Sequence, residues 1–168
     1  MLPTDMIWTI LVLLPKVNTY TCGIGLLLVL WKAVEDIIYT HINMAVIFND
    51  VLHGFCACRG TGTANTELKM AQELASTNKD PLFLVFLDIR KAYDALDLGR
   101  LLHILEGYGA GSKMQGILAE FWENQEVVTR HKSYHDPQFR ATQGTTQGGL
   151  VSPIVLNVAV DRLVRHWL

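Results

Sequence analysis

The sequence predicts an α+β fold, in which a helix-rich N-terminal part is followed by a part with both strands and helices. Three observations support this prediction. Apolar residues recur with helical spacing in the first part, short apolar runs bounded by turn residues indicate strands, and strand-like and helical segments alternate in the second part. The turn Asn78-Lys79-Asp80-Pro81 separates the two parts.

The first predicted element is a buried strand at Ile7–Leu14, an apolar run rich in β-forming residues that is closed by Pro15. A second apolar run covers Ile24–Trp31, and neither run reaches the roughly 18 residues that a membrane-spanning helix needs. Asp5 stands where a signal peptide has positive charge. We therefore expect both runs to lie in the core, with no membrane as partner.

Two helices are expected in the rest of the first part. From Gly25 to about Ile47 the apolar residues follow helical spacing, and Glu35 and Asp36 are placed on the opposite, polar face. A Gly-rich loop at residues 59–63 leads into a second helix at residues 64–75.

The second part opens with Leu82–Leu87, an unbroken apolar run that is typical of a strand covered on both faces and that ends at Asp88. Ser152 is predicted to cap the last helix and Pro153 to open it. The other elements expected here are a helix from Asp97 to Gly107, a helix at about Lys113–Asn124, strands at Glu126–Lys132 and Gln138–Thr142, and the last helix at Ile154–Leu168.

Composition limits the classes of function. The 168 residues suit one ordinary domain or two small lobes with a shared core, and the net charge of −2 provides no overall positive field that would attract nucleic acid. Any site for a polyanion must therefore be local. Three cysteines form an odd set without a regular framework, which favours a reducing, intracellular compartment over a disulfide scaffold.

Two segments carry residues suited to chemistry. Asp88 follows an apolar strand, where a rigidly held carboxylate suits Mg²⁺; the alternative is a carboxylate that only caps a turn. Residues 143–153 place amide side chains and glycines at the start of a helix, where unpaired N–H groups favour phosphates or bases. An ordinary Gly-rich connection is the alternative there.

Four motifs in a fixed order resemble those of the reverse transcriptases of non-LTR retroelements and group II introns. The resemblance covers about Ile10 to Leu168. The motifs are Leu14-Pro15-Lys16, then His53-Gly54-Phe55 with Arg59-Gly60-Thr61-Gly62, then the segment from Asp88 to Asp94, and finally Gln147-Gly148 with Ser152-Pro153 and Asn157.

The resemblance implies a polymerase right hand, with residues 1–80 as a fingers-like part and residues 81–168 as an incomplete palm that holds motif A and motif B. Asp88 matches the first catalytic carboxylate, which binds Mg²⁺, or Mn²⁺ as the alternative, while a primer 3′-hydroxyl attacks an incoming dNTP. The implied partners are an RNA template, a DNA primer and dNTPs.

The same resemblance implies roles for five further residues. Tyr93 matches the aromatic residue under the sugar that excludes a 2′-hydroxyl, and Gln147 and Gly148 match the segment that contacts the templating base pair and the nucleotide. Lys16 and Arg59 match finger residues near the triphosphate or the template, with an ordinary surface position as the alternative for both. Asn157 and Asp161 lie one turn apart on the last helix. For both, a solvated or purely structural role is the alternative to a functional one.

Several features depart from the family pattern. Cys22 and Cys56 stand where arginines are common, and Gly149-Leu150-Val151 replaces Asp-Pro-Leu. The sequence stops at Leu168, before the hairpin with the tyrosine and two aspartates, and before the thumb. Since one carboxylate cannot hold two cations about 4 Å apart, we expect this chain alone to be inactive.

Three alternatives stay open. The first is a non-catalytic retroelement remnant that binds nucleic acid or a protein. The second is a zinc site formed by His53, Cys56 and Cys58, completed by Cys22 or His41. The third concerns a basic cluster on the predicted hairpin, which either tracks a phosphate backbone or is a solvated face; it consists of Arg130, His131, Lys132, His135 and Arg140.

Overall fold

The computed structural model describes residues 2–15, 21–131, 134–135 and 138–167. After a short 3-10 turn at Thr4–Ile7, the elements are β1 (Trp8–Pro15), β2 (Thr21–Leu27), α1 (Val29–Ala45), α2 (Thr61–Asn78), α3 (Leu98–Gly107), α4 (Ser112–Asn124), β3 (Glu126–His131), β4 (Tyr134–His135), β5 (Phe139–Arg140) and α5 (Val151–Trp167). The predicted class, a fold that mixes helices and strands, is confirmed. Within the part of the chain that is described, no helix combines the length and apolar character needed to cross a bilayer.

The described strands form one sheet that joins the two parts of the chain. Its order is β2-β1-β3-β4, and β5 also pairs with β3. β1 runs antiparallel to β2 and parallel to β3, with Ile10 opposite Val128. The predicted hairpin therefore extends a sheet that begins at the N-terminus.

The core lies among α1, α3, α4 and α5. Trp31 of α1 stacks on Phe121 of α4, with ring centroids 3.8 Å apart and planes 7° apart. Leu105 of α3 and Val155 of α5 are both completely buried in the same cluster. An offset or stacked aromatic pair adds about 1 kcal/mol to the stabilisation from burial, so the Trp31–Phe121 contact anchors α1 against α4.

Most predicted helices are confirmed. α3 begins after Asp97, whose side chain accepts a hydrogen bond from the Arg100 amide at 3.0 Å, as an N-cap residue does. α4 and α2 lie close to the predicted ranges. α5 begins at Val151, so the prediction that Ser152 is the cap is wrong by position: Ser152 lies within the first turn.

The predicted start of the first long helix at Gly25 is wrong, because residues 21–27 form β2 and α1 begins only at Val29. Glycines weaken strands, so the residues of β2 do not predict a strand by themselves. The strand forms because it pairs with β1. The predicted position of Glu35 is also wrong. Glu35 is buried on the face of α1 that carries Trp31 and Ile38, while Asp36 is exposed.

The strand predicted at Leu82–Leu87 is absent. Residues 81–89 have no regular secondary structure and all are exposed, so Asp88 does not follow a buried strand. Phe83 and Phe86 are 87% and 82% exposed. The apolar run favours a strand, but a strand also needs a neighbour for its N–H and C=O groups, and no described strand pairs with this run.

Candidate functional site

An open cleft of about 740 Å³ lies between the sheet and two loop segments. The sheet contributes Thr9, Leu11 and Val127, and the loops contribute residues 90–94 and 143–147. The loop segments are the downstream half of the Asp88 motif and the glutamine-glycine motif, which lie about 50 residues apart in the sequence. The fold thus brings together two of the motifs that the sequence singled out.

Backbone hydrogen bonds hold these two segments side by side. The Thr145 amide donates to the Tyr93 carbonyl at 3.0 Å, and the Gly144 amide donates to the Leu96 carbonyl at 3.0 Å. The Gln143 side chain also donates to the Ala95 carbonyl at 3.1 Å. Because main-chain atoms make most of these contacts, the two segments form one wall of the cleft irrespective of most side-chain changes.

The sheet side holds the glutamine-glycine motif through a buried amide. Gln125 Nε2 donates to Thr9 Oγ1 at 2.7 Å and to Thr146 Oγ1 at 2.5 Å. The Gly25 amide of β2 donates to the Gln147 carbonyl at 2.7 Å. β1, β2 and the loop before α5 are therefore tied together at the edge of the cleft.

Gly148 is required by its geometry. Its φ is +125°, a conformation that L side chains rarely adopt, and a Cβ atom there would lie 2.5 Å from the Gly25 carbonyl oxygen. Any larger residue would push the Gln147-Gly148 turn away from β2.

Tyr93 lines the cleft and is half-buried. Burial raises the pKa of the Tyr93 hydroxyl above its usual value of 10.0. The side chain is therefore a neutral phenol at physiological pH and presents an aromatic ring with one polar end to the cleft.

Asp88 lies outside the set of residues that line the cleft, and its side chain is exposed. Asp94, six residues further on, does line the cleft. Within the described ranges, no group of three or more His, Cys, Asp or Glu side chains lies close enough together to hold a metal ion. These residues by themselves therefore do not fit a two-cation site.

The structure describes one of the two predicted finger residues. Lys16 lies outside the described residues. Arg59 is described, and its guanidinium donates to the Asn49 and Leu52 carbonyls at 3.0 and 3.2 Å and pairs with Asp50 at 2.5 Å. The Arg59 side chain thus holds its own loop together, away from the cleft.

The zinc hypothesis finds no support in the described residues. His53 uses both ring nitrogens in hydrogen-bond contacts, with Thr63 Oγ1 at 2.7 Å and with Glu67 Oε2 at 3.1 Å. Cys56 lies 3.7 Å from Asn157 Nδ2, which also donates to the Gly54 carbonyl at 2.5 Å. Asn157 is therefore structural, one of the two roles left open for it, because it anchors this loop to α5.

The basic cluster is described only in part. Arg130 and Arg140 are exposed, and Arg140 lies 4.0 Å from Glu126. The side chains of His131 and His135, and all of Lys132, lie outside the described residues. The two described arginines are accessible to a polyanion, which leaves both interpretations of this cluster open.

Sequence reasoning missed three residues that shape the site: Glu35, Gln125 and Thr146. Glu35 carried a usable signal, since it lies four residues after Trp31 and three before Ile38, the spacing of one helix face. Gln125 and Thr146 carried none, because the contact between them depends on how α4 and the loop before α5 meet in space.

Comparisons with known proteins agree with the motifs at this cleft. A family model described as "Reverse transcriptase (RNA-dependent DNA polymerase)" matches residues 14–168. The Retrovirus-related Pol polyprotein from type-2 retrotransposable element R2DM of Drosophila melanogaster is 23% identical over 137 residues. That alignment covers 82% of this chain and 13% of the length of the relative, so the chain corresponds to a small part of that polyprotein.

Proposed function

Because the chain belongs to the reverse transcriptase family, we propose that it forms the fingers and part of the palm of an RNA-directed DNA polymerase. In this proposal residues 1–80 are the fingers-like part and residues 81–168 the incomplete palm. The two parts share one sheet, because β3, β4 and β5 of the palm part continue the sheet that β1 and β2 of the fingers-like part begin.

The observation that carries the proposal is the hydrogen bond between the Thr145 amide and the Tyr93 carbonyl, which places the two family motifs at one cleft. A polymerase must hold the incoming dNTP and the templating base at one place. We assign Tyr93 to the sugar of the dNTP, where its ring excludes a 2′-hydroxyl. Gln147 and Gly148 are assigned to the nascent base pair.

Asp88 is the proposed catalytic carboxylate, with Mg²⁺ as the cation and Mn²⁺ as its alternative. Support comes from the match to the family motif and from the exposure of the side chain, which leaves it accessible to further acidic groups. Since the described residues do not complete a cation site, the proposal requires further acidic groups beside Asp88. We propose that the chain polymerises only when those groups are present.

The proposal also assigns roles to Lys16 and Arg59. Lys16 is assigned to the triphosphate, for which an ammonium group is a suitable partner. For Arg59 the described contacts favour anchoring of its own loop, since its guanidinium already binds two carbonyls and one carboxylate. We therefore assign Arg59 to anchoring its own loop rather than to direct contact with the triphosphate or the template.

Primer extension on an RNA template with dNTPs and Mg²⁺ tests the proposal. The proteins are the 168-residue chain and a polypeptide extended through a complete palm and thumb, each with Asp88→Asn and with Asp80→Asn as an exposed control. We expect extension only by the longer polypeptide, lost in Asp88→Asn and kept in Asp80→Asn. A longer polypeptide that folds and binds the duplex but never extends a primer would refute the catalytic assignment.

A non-catalytic role in nucleic-acid binding is the second candidate, favoured by the exposure of Arg130 and Arg140 of the basic cluster. It requires that the 168-residue chain bind an RNA–DNA duplex with salt-dependent affinity while the longer polypeptide does not extend primers. Changing Arg130 and Lys132 together to Ala then weakens this binding. Unchanged affinity would remove the basic cluster from the interface.

A further inference from the structure

Glu35 is a charged side chain buried in the core, with 4% of its surface exposed. Its Oε2 atom accepts a hydrogen bond from the Leu150 amide at 3.0 Å, across 115 residues of sequence. Leu150 directly precedes α5, so the carboxylate of one helix caps the N-terminus of another. A buried carboxylate is stabilised by such amides, since the first N–H groups of a helix lack partners within it.

Ser152, which the sequence predicts as the cap of the last helix, makes a different contact. Ser152 Oγ donates to the Thr146 carbonyl at 2.7 Å and so closes the turn that precedes α5. The Gly149 amide donates to the same carbonyl at 3.1 Å. Residues 146–152 thus form a tight turn, and Glu35 supplies it with a contact from outside.

Gly149 shows how closely Glu35 fits against this turn. A Cβ atom on Gly149 would lie 2.6 Å from Glu35 Oε1. One carboxylate oxygen therefore binds the Leu150 amide while the other lies against the Gly149 backbone. Gln147, two residues earlier, lines the cleft, so the position of the Glu35 carboxylate limits where Gln147 can lie.

We propose that Glu35 is a positioning residue for template–primer binding, which holds the 146–150 turn so that Gln147 stays at the cleft. The inference rests on the proposed function of the cleft. Glu35 contacts no substrate in this account; it acts through Gly149 and Leu150. Asp36, the next residue and exposed on the opposite face of α1, provides a matched control.

The test combines hydrogen–deuterium exchange of residues 143–150 with the affinity of the 168-residue chain for an RNA–DNA template–primer duplex, measured by fluorescence anisotropy. Glu35→Ala is expected to speed exchange in this segment and to weaken duplex binding about tenfold, the effect of losing one hydrogen bond to a charged group. Glu35→Gln keeps a carbonyl oxygen as acceptor and is expected to retain most of the protection and affinity. Asp36→Ala should match the wild type.

Gly149→Ala perturbs the same contact from the other side. We expect it to weaken binding in the wild-type background, and to have a smaller further effect in Glu35→Ala, where the nearest atom is gone and Ser152 Oγ at 3.1 Å is the contact that stays. Residues in contact also couple in stability, so the coupling is measured on duplex affinity under conditions in which all four proteins are folded. Gly149→Ala by itself keeps the proposal testable if Glu35→Ala folds poorly.

Wild-type exchange and affinity in Glu35→Ala would overturn the proposal, as would an equal effect of Gly149→Ala in both backgrounds. A wild-type chain that binds no duplex would overturn the link between this turn and duplex binding by the chain alone, while primer extension by the longer polypeptide still tests the function proposed for the cleft. In that case faster exchange confined to residues 143–150 still supports Glu35 as the residue that orders the turn, and unchanged exchange overturns it.

Discussion

Asp161 forms an ion pair with Arg165 one helical turn further along α5, with Arg165 Nε 2.6 Å from Asp161 Oδ2. The buried Asp161 carboxylate also accepts hydrogen bonds from the Asn49 amide at 2.7 Å and from the Tyr108 hydroxyl. Arg165 in turn donates to the Ile47 carbonyl at 2.8 Å. The pair thus joins α5 to the end of α3 and to the loop after α1.

Loss of this carboxylate is expected to be costly. Asp161→Ala leaves the Asn49 amide and the Tyr108 hydroxyl without this acceptor and should lower the free energy of unfolding by about 1 to 3 kcal/mol, the cost of leaving such groups unsatisfied. Arg165 is partly exposed and keeps its bond to Ile47. Urea denaturation at pH 7 measures the loss. Arg162→Ala, an exposed neighbour on α5, should change stability by less than about 0.5 kcal/mol. Equal effects of the two substitutions would contradict this assignment.

The Asp161 contacts also predict a pH dependence. Burial by itself raises the pKa of Asp161, but the hydrogen bonds from Arg165, Tyr108 and Asn49 outweigh it and lower the pKa below 3.8. A depressed pKa in the folded state means stabilisation that is complete above 3.8 and lost as pH falls through the folded-state pKa. The difference in stability between wild type and Asp161→Ala should therefore shrink on acidification below about pH 4. A difference that stays constant down to about pH 2 would contradict it.

The raised pKa of Glu35 predicts that stability changes with pH in the opposite direction. Burial raises the pKa of Glu35 above 4.5, although the Leu150 and Val151 amides partly offset the effect. A raised pKa means that proton binding favours the folded state, so this contribution is complete below pH 4.5 and lost as pH rises through the folded-state pKa. Relative to Glu35→Gln, the wild type should lose stability as pH rises above 4.5. Parallel stability curves for the two proteins would show that the carboxyl is not buried.

Gly25 and Gly62 form a matched pair of glycines. A Cβ on Gly25 would lie 2.0 Å from Thr146 Cγ2, whereas a Cβ on Gly62 has nothing within 4 Å. Gly25→Ala should therefore destabilise the fold by about 1 to 3 kcal/mol, while Gly62→Ala in α2 should stabilise it by about 0.5 to 1 kcal/mol. Thermal denaturation compares them.

Thr146→Ser is the control for the Gly25 substitution. It removes the methyl group that a Cβ atom at position 25 would strike, and it keeps the hydroxyl that accepts from Gln125. We expect it to restore much of the stability that Gly25→Ala loses. Without such rescue, the contact between β2 and the turn before α5 would not be the cause of the loss.

The exposed run at residues 82–87 permits a direct test of sequence against structure. Phe83→Lys together with Phe86→Lys should leave the unfolding midpoint unchanged and reduce concentration-dependent association, because both rings are exposed. Size-exclusion chromatography and denaturation measure the two effects. A loss of about 3 kcal/mol or more would instead support the buried strand that the sequence predicts.

Local signals were sufficient for some elements and not for others. Asp97 followed by a periodic apolar stretch specified α3, because an N-cap residue acts through its neighbours in the chain. The apolar run before Pro15 specified β1, although Pro15 itself pairs with Thr21 within the sheet. β2 escaped prediction because its glycines carry no strand signal and its hydrogen bonds come from β1. The strand predicted at residues 82–87 was wrong for the converse reason. Its apolar side chains favour a strand, but no described strand pairs with this run.

The candidate site divides in the same way. The motifs that contain Tyr93 and Gln147 were recognisable from residue types and order alone, and the family was identified from them. The sequence did not predict that these motifs meet at one cleft, because this depends on the Thr145–Tyr93 hydrogen bond between distant segments. The roles assigned to Lys16, Asp88, Tyr93, Gln147 and Gly148 stay predictions.

The sequence by itself determined the helices with clear caps, the mixed class of the fold and the family, since each depends on local spacing or on the order of short motifs. Only the tertiary structure decided that Glu35 caps α5, and that Gln125 ties β1 to the turn before α5. The physical reason is that a buried polar group is stable only with a partner, and both partners lie more than 20 residues away along the chain.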